Sequence, residues 1–339
     1  MNSPYIFTSL TRISDLTERE FSVKKLNREH WDTGDYVVAK ILDPGSTALQ
    51  LELPNGRMRG VIGGELVVGV LGERYATLEA TGTWRKVKDD LHMDILTGAG
   101  LMGKMTSKSH FMPNMMCVAY QGHVLRQQQK ITMRSFVKAV DEIPFETPVV
   151  LFVGTSMSAG KTTSARIITN LFKSAGCKVV GAKLAGAGRY QDILAIKDVG
   201  ADDVMDFVDA GLPSSIYPRN KYREILQQLL SKIASCHADI AIIEIGASPL
   251  EPYNGDIAIE ALRNHIRCTV LAASDPYAVL GLMNAFDLTP DIVTGVATNT
   301  LAGINLVEKL CHVKALNLID AETTLELRNI LSAKTGIVV

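Results

Sequence analysis

The residues with the clearest chemical content lie in one run, Val149-Val-Leu-Phe-Val-Gly154-Thr-Ser-Met-Ser-Ala-Gly160-Lys161-Thr162-Thr163. An apolar strand enters a loop of small residues, and Gly-Lys-Thr opens an amphipathic helix. Ala165, Ile168, Leu171, Phe172 and Ala175 fall on one face of that helix, and Gly176 stops it. Strand, loop and helix in this order form a phosphate cradle. Backbone N–H groups and the helix N-terminus meet phosphate oxygens, a lysine neutralises the β- and γ-phosphates, and a threonine hydroxyl ligates Mg²⁺. The residues assigned to the nucleotide are therefore Gly154, Thr155, Ser156, Ser158, Ala159, Gly160, Lys161, Thr162 and Thr163. Lys161 is also assigned to catalysis and Thr162 to the metal. The common spacing G-x-x-x-x-G-K-[ST] would put a glycine where this chain has Thr155; Gly154 comes one residue earlier.

In a parallel sheet such a loop lies at the carboxyl ends of the strands, so charged residues at other strand ends face the same crevice. The apolar run Ala238–Ser248 reaches Glu244, which is predicted to bind Mg²⁺, directly or through water, or to orient a nucleophile. Lys178–Leu184 carries Lys183 at its end and leads into a glycine-rich stretch with Gly188, Arg189 and Asp192. There Gly188 allows a ligand to approach the backbone, Arg189 is placed to clamp an anion, and Asp192 to act as a second Mg²⁺ ligand or general base. A surface loop with solvated charges is the competing reading. Asp198–Asp209 holds five aspartates in twelve residues. Most read as solvated faces, but Asp206 and Asp209, close to Gly211, are placed to reach a substrate amine. Asp275 follows another apolar strand. Ile292–Thr298 ends at Asn299, and the guanine-selecting N-K-x-D element is missing, which favours ATP over GTP. The histidines show no i, i+4 pair and no G-x-S-x-G elbow is present, so neither a transition-metal site nor that type of hydrolase is supported.

The spacing G-T-x-x-x-x-G-K-T resembles the loop of dethiobiotin synthetase and its relatives, P-loop proteins that act mostly on small molecules. GTSMSAGKTT, followed by AKLAGAG and DVMDFVDAG, also resembles a family of P-loop proteins of unknown function, some of whose members are assigned to D-amino-acid N-acylation. The resemblance covers Val149 to the C-terminus. It implies that Lys183 lies near substrate and phosphates, that Asn299 reads adenine, and that a homodimer completes the site.

These residues need a scaffold, and the chain changes character near residue 145. Before it, strand-length runs at Asp35–Leu42, Ala48–Leu53, Gly60–Val70 and Ala76–Trp84 are separated by Asp43-Pro-Gly, Pro54-Asn-Gly and Gly63-Gly64 turns, as in a small barrel or sandwich. Asp94–Ser109, with three glycines and two lysines, reads as a connection to a strand pair around Met115–Tyr120 and Val124–Leu125. Glu142–Pro148 reads as a linker, giving a β-rich domain over 1–141 and a P-loop domain over 149–339. In the latter, apolar strands alternate with helices, which predicts a parallel sheet covered on both faces.

The 339 residues carry 35 Lys+Arg against 36 Asp+Glu, a net charge of −1, with 47% hydrophobic and 21% charged residues. That balance speaks against a nucleic-acid footprint, and no apolar run has the ~18–20 residues that span a bilayer. A polar start and five scattered cysteines (Cys117, Cys177, Cys236, Cys268, Cys311), with no C-x-x-C pair, point to a cytoplasmic protein with core thiols. The combined expectation is an ATP- and Mg²⁺-dependent enzyme acting on a small carboxylate or amine. Two alternatives stand beside it: a regulatory or metallochaperone-type NTPase, and an N-acyltransferase whose loop holds the phosphates of an acyl-CoA.

Overall fold

The computed structural model describes residues 4–46 and 49–339. The chain divides into two compact units. The first comprises residues 1–139 with two later excursions, 187–191 and 207–218; the second comprises 140–186, 192–206 and 219–339.

The first unit is built from short strands: β1 (Tyr5–Phe7), β2 (Ser22–Lys24), β3 (Tyr36–Asp43), β4 (Leu51–Glu52), β5 (Met58–Arg59) and β6 (Leu66–Leu71). They are followed by β7 (Glu73–Tyr75), β8 (Ala80–Thr83), β9 (His92–Thr97), β10 (Leu101–Lys108), β11 (Cys117–Arg126) and β12 (Gln129–Lys130). The antiparallel path β6-β3-β11-β9-β10 returns to its start through a parallel pairing of β10 with β6. That closure makes a five-stranded barrel and removes the sheet edge. Alternate residues of its strands, Val37, Ala39 and Ile41 of β3, Met93 and Ile95 of β9, Val118 and Tyr120 of β11, fill one core together with Trp31 and Trp84.

Three expectations change here. Asp94–Ser109 is mostly strand, β9 turning into β10, and of the run Ala76–Trp84 only Ala80–Thr83 is strand, β8, which forms a hairpin with the preceding β7. The expected pair Met115–Tyr120 and Val124–Leu125 is one continuous strand, β11. The expected strand Ala48–Leu53 begins outside the described residues; its described part is β4.

The second unit holds a six-stranded, wholly parallel sheet: β13 (Val149–Gly154), β14 (Val179–Ala185), β15 (Asp203–Asp206), β16 (Ile240–Ile245), β17 (Ile266–Ala272) and β18 (Ile292–Thr294). The strands lie in the order β15-β14-β16-β13-β17-β18. Seven helices accompany them: α1 (Lys161–Ser174), α2 (Tyr190–Lys197), α3 (Arg219–Ala234), α4 (Gly255–Leu262), α5 (Pro276–Phe286), α6 (Leu301–Cys311) and α7 (Thr324–Thr335). Buried residues of α1, α2 and α7, among them Ile168, Phe172, Ile196 and Leu331, form one core with Val150, Phe152, Ile240, Ile242 and Val270 of the sheet. On the other face α3 and α4 pack against β14, where the Tyr222 hydroxyl donates to the Leu184 carbonyl at 2.8 Å. The unit is an α/β P-loop NTPase fold, and the unit before it is β-rich. Cys268 sits in this core, where burial pushes its thiol up to about 12. Among the described residues no helix is long and apolar enough to cross a membrane.

Candidate functional site

Strand β13 delivers the chain to the loop, and α1 begins at Lys161 after Gly160, a left-handed residue at φ 107°. The Lys161 side chain folds back across the end of β13. A Cβ on residue 154 would meet its Cδ at 2.9 Å and its Nζ at 3.0 Å, so the early loop glycine leaves room for Lys161 to lie there. Lys161 is 1% exposed, and its ammonium donates to the Ser156 carbonyl at 2.7 Å. Thr155 anchors the loop to the neighbouring strand. Its N–H donates to the Ala272 carbonyl at 3.1 Å, and its hydroxyl oxygen accepts from the Ser274 N–H at 3.1 Å.

Across the sheet, parallel register sets three charged residues side by side. Glu244 of β16 is the partner of Lys183 of β14, and Lys183 is in turn the partner of Asp206 of β15. In parallel strands, residues at one level point to one face. On that face Ile196 of α2 covers Gly181, and one turn earlier Asp192 takes the Lys183 ammonium at 2.6 Å. The Thr162 hydroxyl donates to Glu244 Oε2 at 3.0 Å. The structure thus brings Lys161, Thr162, Lys183, Asp192 and Glu244 together, with Asp206 completely buried at the end of the row.

The electrostatics follow from burial. Desolvation lowers the Lys161 ammonium below its ordinary value, with Glu244 pulling the other way. Burial would also lower Lys183, but Asp192 and Glu244 outweigh it and hold that ammonium above its ordinary value. Glu244 moves up: burial and the negative Asp192 raise its carboxyl, and Lys161, Lys183 and the Thr162 hydroxyl pull it back only in part. Once ionised, the Glu244 carboxylate beside the Thr162 hydroxyl would be an oxygen donor set suited to a hard divalent cation. Among the described residues no three His, Cys, Asp or Glu side chains form a metal-holding group. A cation on Thr162 and Glu244 would therefore take its remaining ligands from phosphate and water, as Mg²⁺ does.

Beside the loop, Ala159, Gly160, Thr163 and Ile167 form one wall of a cavity of about 110 Å³; Gly295, Val296, Asn299, Asn317 and Ile319 contribute to the rest. Asn299 and Thr163 are exposed side chains on it, and Ser158 is exposed on the loop. Gly188, Arg189 and Asp209 belong to the first unit, and Asp275 to the second. Arg189 is exposed, and its guanidinium reaches Gln191 Oε1 at 3.4 Å. Asp209 is ion-paired with Arg12 at 3.1 Å. Gly188 is buried, and a Cβ there would meet Leu10 Cδ2 at 2.7 Å and the Pro213 carbonyl at 2.8 Å, so its close approach is to its own chain. Asp275 caps α5 by accepting from the Tyr277 and Ala278 N–H groups at 2.9 and 3.1 Å.

Sequence reasoning missed Glu251, buried on the loop after β16, whose charge raises the Lys161 ammonium and whose carboxylate accepts from the Ser248 N–H at 2.8 Å. It also missed Ser274 beside Thr155, and Asn317 across the cavity from Thr163. Only Glu251 had a local signal, an acid seven residues beyond Glu244 in a Gly- and Pro-bearing turn.

A wholly parallel sheet whose β13 runs through a glycine loop into α1 is the arrangement of a P-loop α/β fold. No family model matches the chain, and no curated protein sequence matches it. Solved structures do. HypB from Helicobacter pylori in complex with nickel is 16% identical over 56% of this chain and 88% of its own, with a TM-score of 0.38. Chloroplast FtsY from Physcomitrella patens is 17% identical over 52% of this chain and 59% of its own, with a TM-score of 0.37. The signal recognition particle 54 kDa protein from Aeropyrum pernix K1 in complex with GDP is 21% identical over 51% of this chain and 41% of its own, with a TM-score of 0.35. The chain thus spans less than two thirds of the length of the last two.

Proposed function

We propose that this chain is an ATP- and Mg²⁺-dependent enzyme that activates a small carboxylate or amine by phosphoryl transfer, in the manner of a ligase. The observation that carries the reading is the Thr162 hydroxyl on the Glu244 carboxylate at 3.0 Å, next to a buried Lys161 in the loop. Lys161, released from the Ser156 carbonyl, neutralises the β- and γ-phosphate oxygens, and the loop N–H groups hold them in line. Thr162 and Glu244 hold Mg²⁺, which when bound offsets charge on the transferred group. Lys183 faces the same group from the next strand, and Asp192 orients it and is placed to accept a proton from the attacking substrate. Asp206 closes the row on the substrate side, and Asn299 reads the base from the cavity wall. Catalysis here is positioning and electrostatics.

The test is calorimetry with MgATP, MgGTP and acetyl-CoA, followed by ADP release across a panel of carboxylates and amines. The reading expects MgATP binding and turnover that rises with one compound class. Heat with acetyl-CoA alone would replace it with an acyltransferase. ADP release indifferent to every compound would leave an NTPase without a small-molecule acceptor. A homodimer in the cytoplasm, acting on no nucleic acid or membrane, belongs to the same proposal.

A further inference from the structure

The cavity beside the phosphate loop lies wholly within the second unit, and at about 110 Å³ it is a small recess. Among the described residues none of those lining it is charged. Its apolar part includes Val296 and Ile319, whose side chains are 54% and 73% exposed, and its polar part includes the amides of Asn299 and Asn317. Ala159 and Gly160 of the loop itself complete the wall, so a group seated here sits next to whatever the loop holds. An uncharged recess with aliphatic sides and two amides suits a flat, neutral heterocycle with a polar edge and not a second phosphate.

The fold fixes where Asn317 stands and which way its amide is turned. Val293 of β18 donates to the Lys314 carbonyl at 2.8 Å and accepts from the Leu316 N–H at 2.9 Å. The buried Thr298 hydroxyl lies 3.0 Å from the Gly295 carbonyl and 3.1 Å from the Leu316 carbonyl, bridging the two sides of the recess. At the end of this ladder the Asn317 side-chain oxygen accepts from the Ile319 N–H at 3.3 Å. Only the oxygen of an amide can meet an N–H, so the NH₂ end of Asn317 is the one left over, as a donor. Among the described residues nothing accepts from it, and the Asn299 amide likewise has no hydrogen-bond partner. The turn itself asks only for an acceptor at residue 317, which an aspartate would also supply; the donor is what asparagine adds.

We propose that Asn317 is the residue that selects the base: the ring lies against Val296 and Ile319, the Asn317 NH₂ group donates to N1 of adenine, and the Asn299 amide oxygen accepts from the adenine amino group. The inference rests on the nucleotide reading above and names the base-selecting group of that same site. Covering two exposed aliphatic side chains with a flat ring removes apolar surface from water whichever purine is bound, so it adds affinity without choice. The choice comes from the edge. Adenine offers an acceptor at N1 and a donor at position 6, whereas guanine offers a donor at N1 and an acceptor at position 6. With guanine in the recess, N1–H faces the Asn317 N–H, and a donor that the fold does not let turn over is left unpaired.

Calorimetry on the full chain with MgATP and MgGTP, for the wild type and for Asn317→Asp, tests this. Aspartate keeps the acceptor for the Ile319 N–H and replaces the donor by a second acceptor. The added charge repels both triphosphates alike, so the ratio of the two affinities is the readout. The wild type should prefer MgATP, and in the variant the ratio of MgATP to MgGTP affinity should fall at least about tenfold, the scale of one hydrogen bond left unmade. MgATP binding with an unchanged ratio makes Asn317 a turn residue and overturns the inference while leaving the nucleotide reading intact. A wild type that prefers MgGTP overturns it as well. Binding of neither nucleotide to the wild type overturns the nucleotide reading, and the inference with it. Where the variant does not fold, 1-deaza-ATP removes the same bond from the ligand side: its magnesium complex should bind the wild type about tenfold more weakly than MgATP, and equal affinity contradicts the role given to Asn317.

Discussion

Asp35 in the barrel unit and Glu244 in the P-loop unit are both buried carboxylates, at 1% and 3% exposure, with unlike surroundings. Oδ2 of Asp35 is met by the Asp32 N–H at 2.8 Å, the Lys130 ammonium at 2.7 Å and His123 Nε2 at 3.2 Å. The chain of contacts continues from His123 Nδ1 to the Tyr120 hydroxyl at 2.5 Å, which also takes the Leu26 N–H at 3.1 Å, and Trp31 closes over Tyr120. Among the described residues the Glu244 carboxylate accepts a single hydrogen bond, from Thr162. A buried charge whose lone pairs are filled by its own fold specifies that fold; one left short of partners is poised for a ligand. The contrast is between these two carboxylates: Asp35 is supplied with donors by the barrel itself, whereas Glu244 is raised by burial with one hydroxyl donor beside it.

The largest effect that would break this contrast is in the barrel. Asp35→Ala leaves His123 and Lys130 without their shared acceptor and should cost about 3–5 kcal/mol of unfolding free energy. Chemical denaturation measures it, and a loss below about 1 kcal/mol would mean the network is not structural. Glu244→Gln should behave in the opposite way. It removes a buried charge that ionises at a cost, so the nucleotide-free protein should melt no lower than the wild type, while Mg²⁺-dependent nucleotide affinity drops about a hundredfold. A lower melting temperature with unchanged affinity would make Glu244 a structural acid.

The raised Glu244 carboxyl also gives a pH dependence with a definite sign. A carboxyl held higher in the folded than in the unfolded state destabilises the fold once ionised, so the nucleotide-free protein gains stability as pH falls through its folded value. Mg²⁺ requires the ionised form, so MgATP affinity should weaken over that same interval, above the ordinary carboxylate range. Melting and calorimetry at matched pH values check both halves, and Glu244→Gln should flatten both.

A smaller effect sharpens the role of the loop glycine. Gly154→Ala places a methyl group at 2.9 Å from the Lys161 side chain and should cost about tenfold in MgATP affinity, because Lys161 must shift from its path across the end of β13. The smallest is expected at the cavity, where Asn299→Ala should lower the preference for ATP over GTP about threefold to fivefold in competition binding.

How much of this was legible in the sequence depended on the range of the interactions involved. β13, the loop and α1 were readable because a buried strand and an amphipathic helix each write their period into fewer than fifteen residues. The pairing of Lys183 with Asp192 was not, because α2 has only eight residues and its first turn reads as a charged loop. β15 was hidden because three aspartates surround a four-residue strand. In the barrel, glycines misled. Gly103 lies inside β10, and a Cβ there would meet the Trp84 N atom at 2.6 Å, so the residue marks a close crossing of backbones and not a turn. The Glu52 carboxylate accepts from the Tyr190 N–H, 138 residues away in sequence, a separation no local pattern reports.

Calorimetric titration of MgATP into the wild-type chain and into Lys161→Ala tests the central claim most directly. The predicted result is saturable binding to the wild type that disappears in the variant, with the variant's melting temperature unchanged or higher because a desolvated ammonium has been removed. Equal affinity in the two proteins would contradict the assignment of the phosphate to this loop.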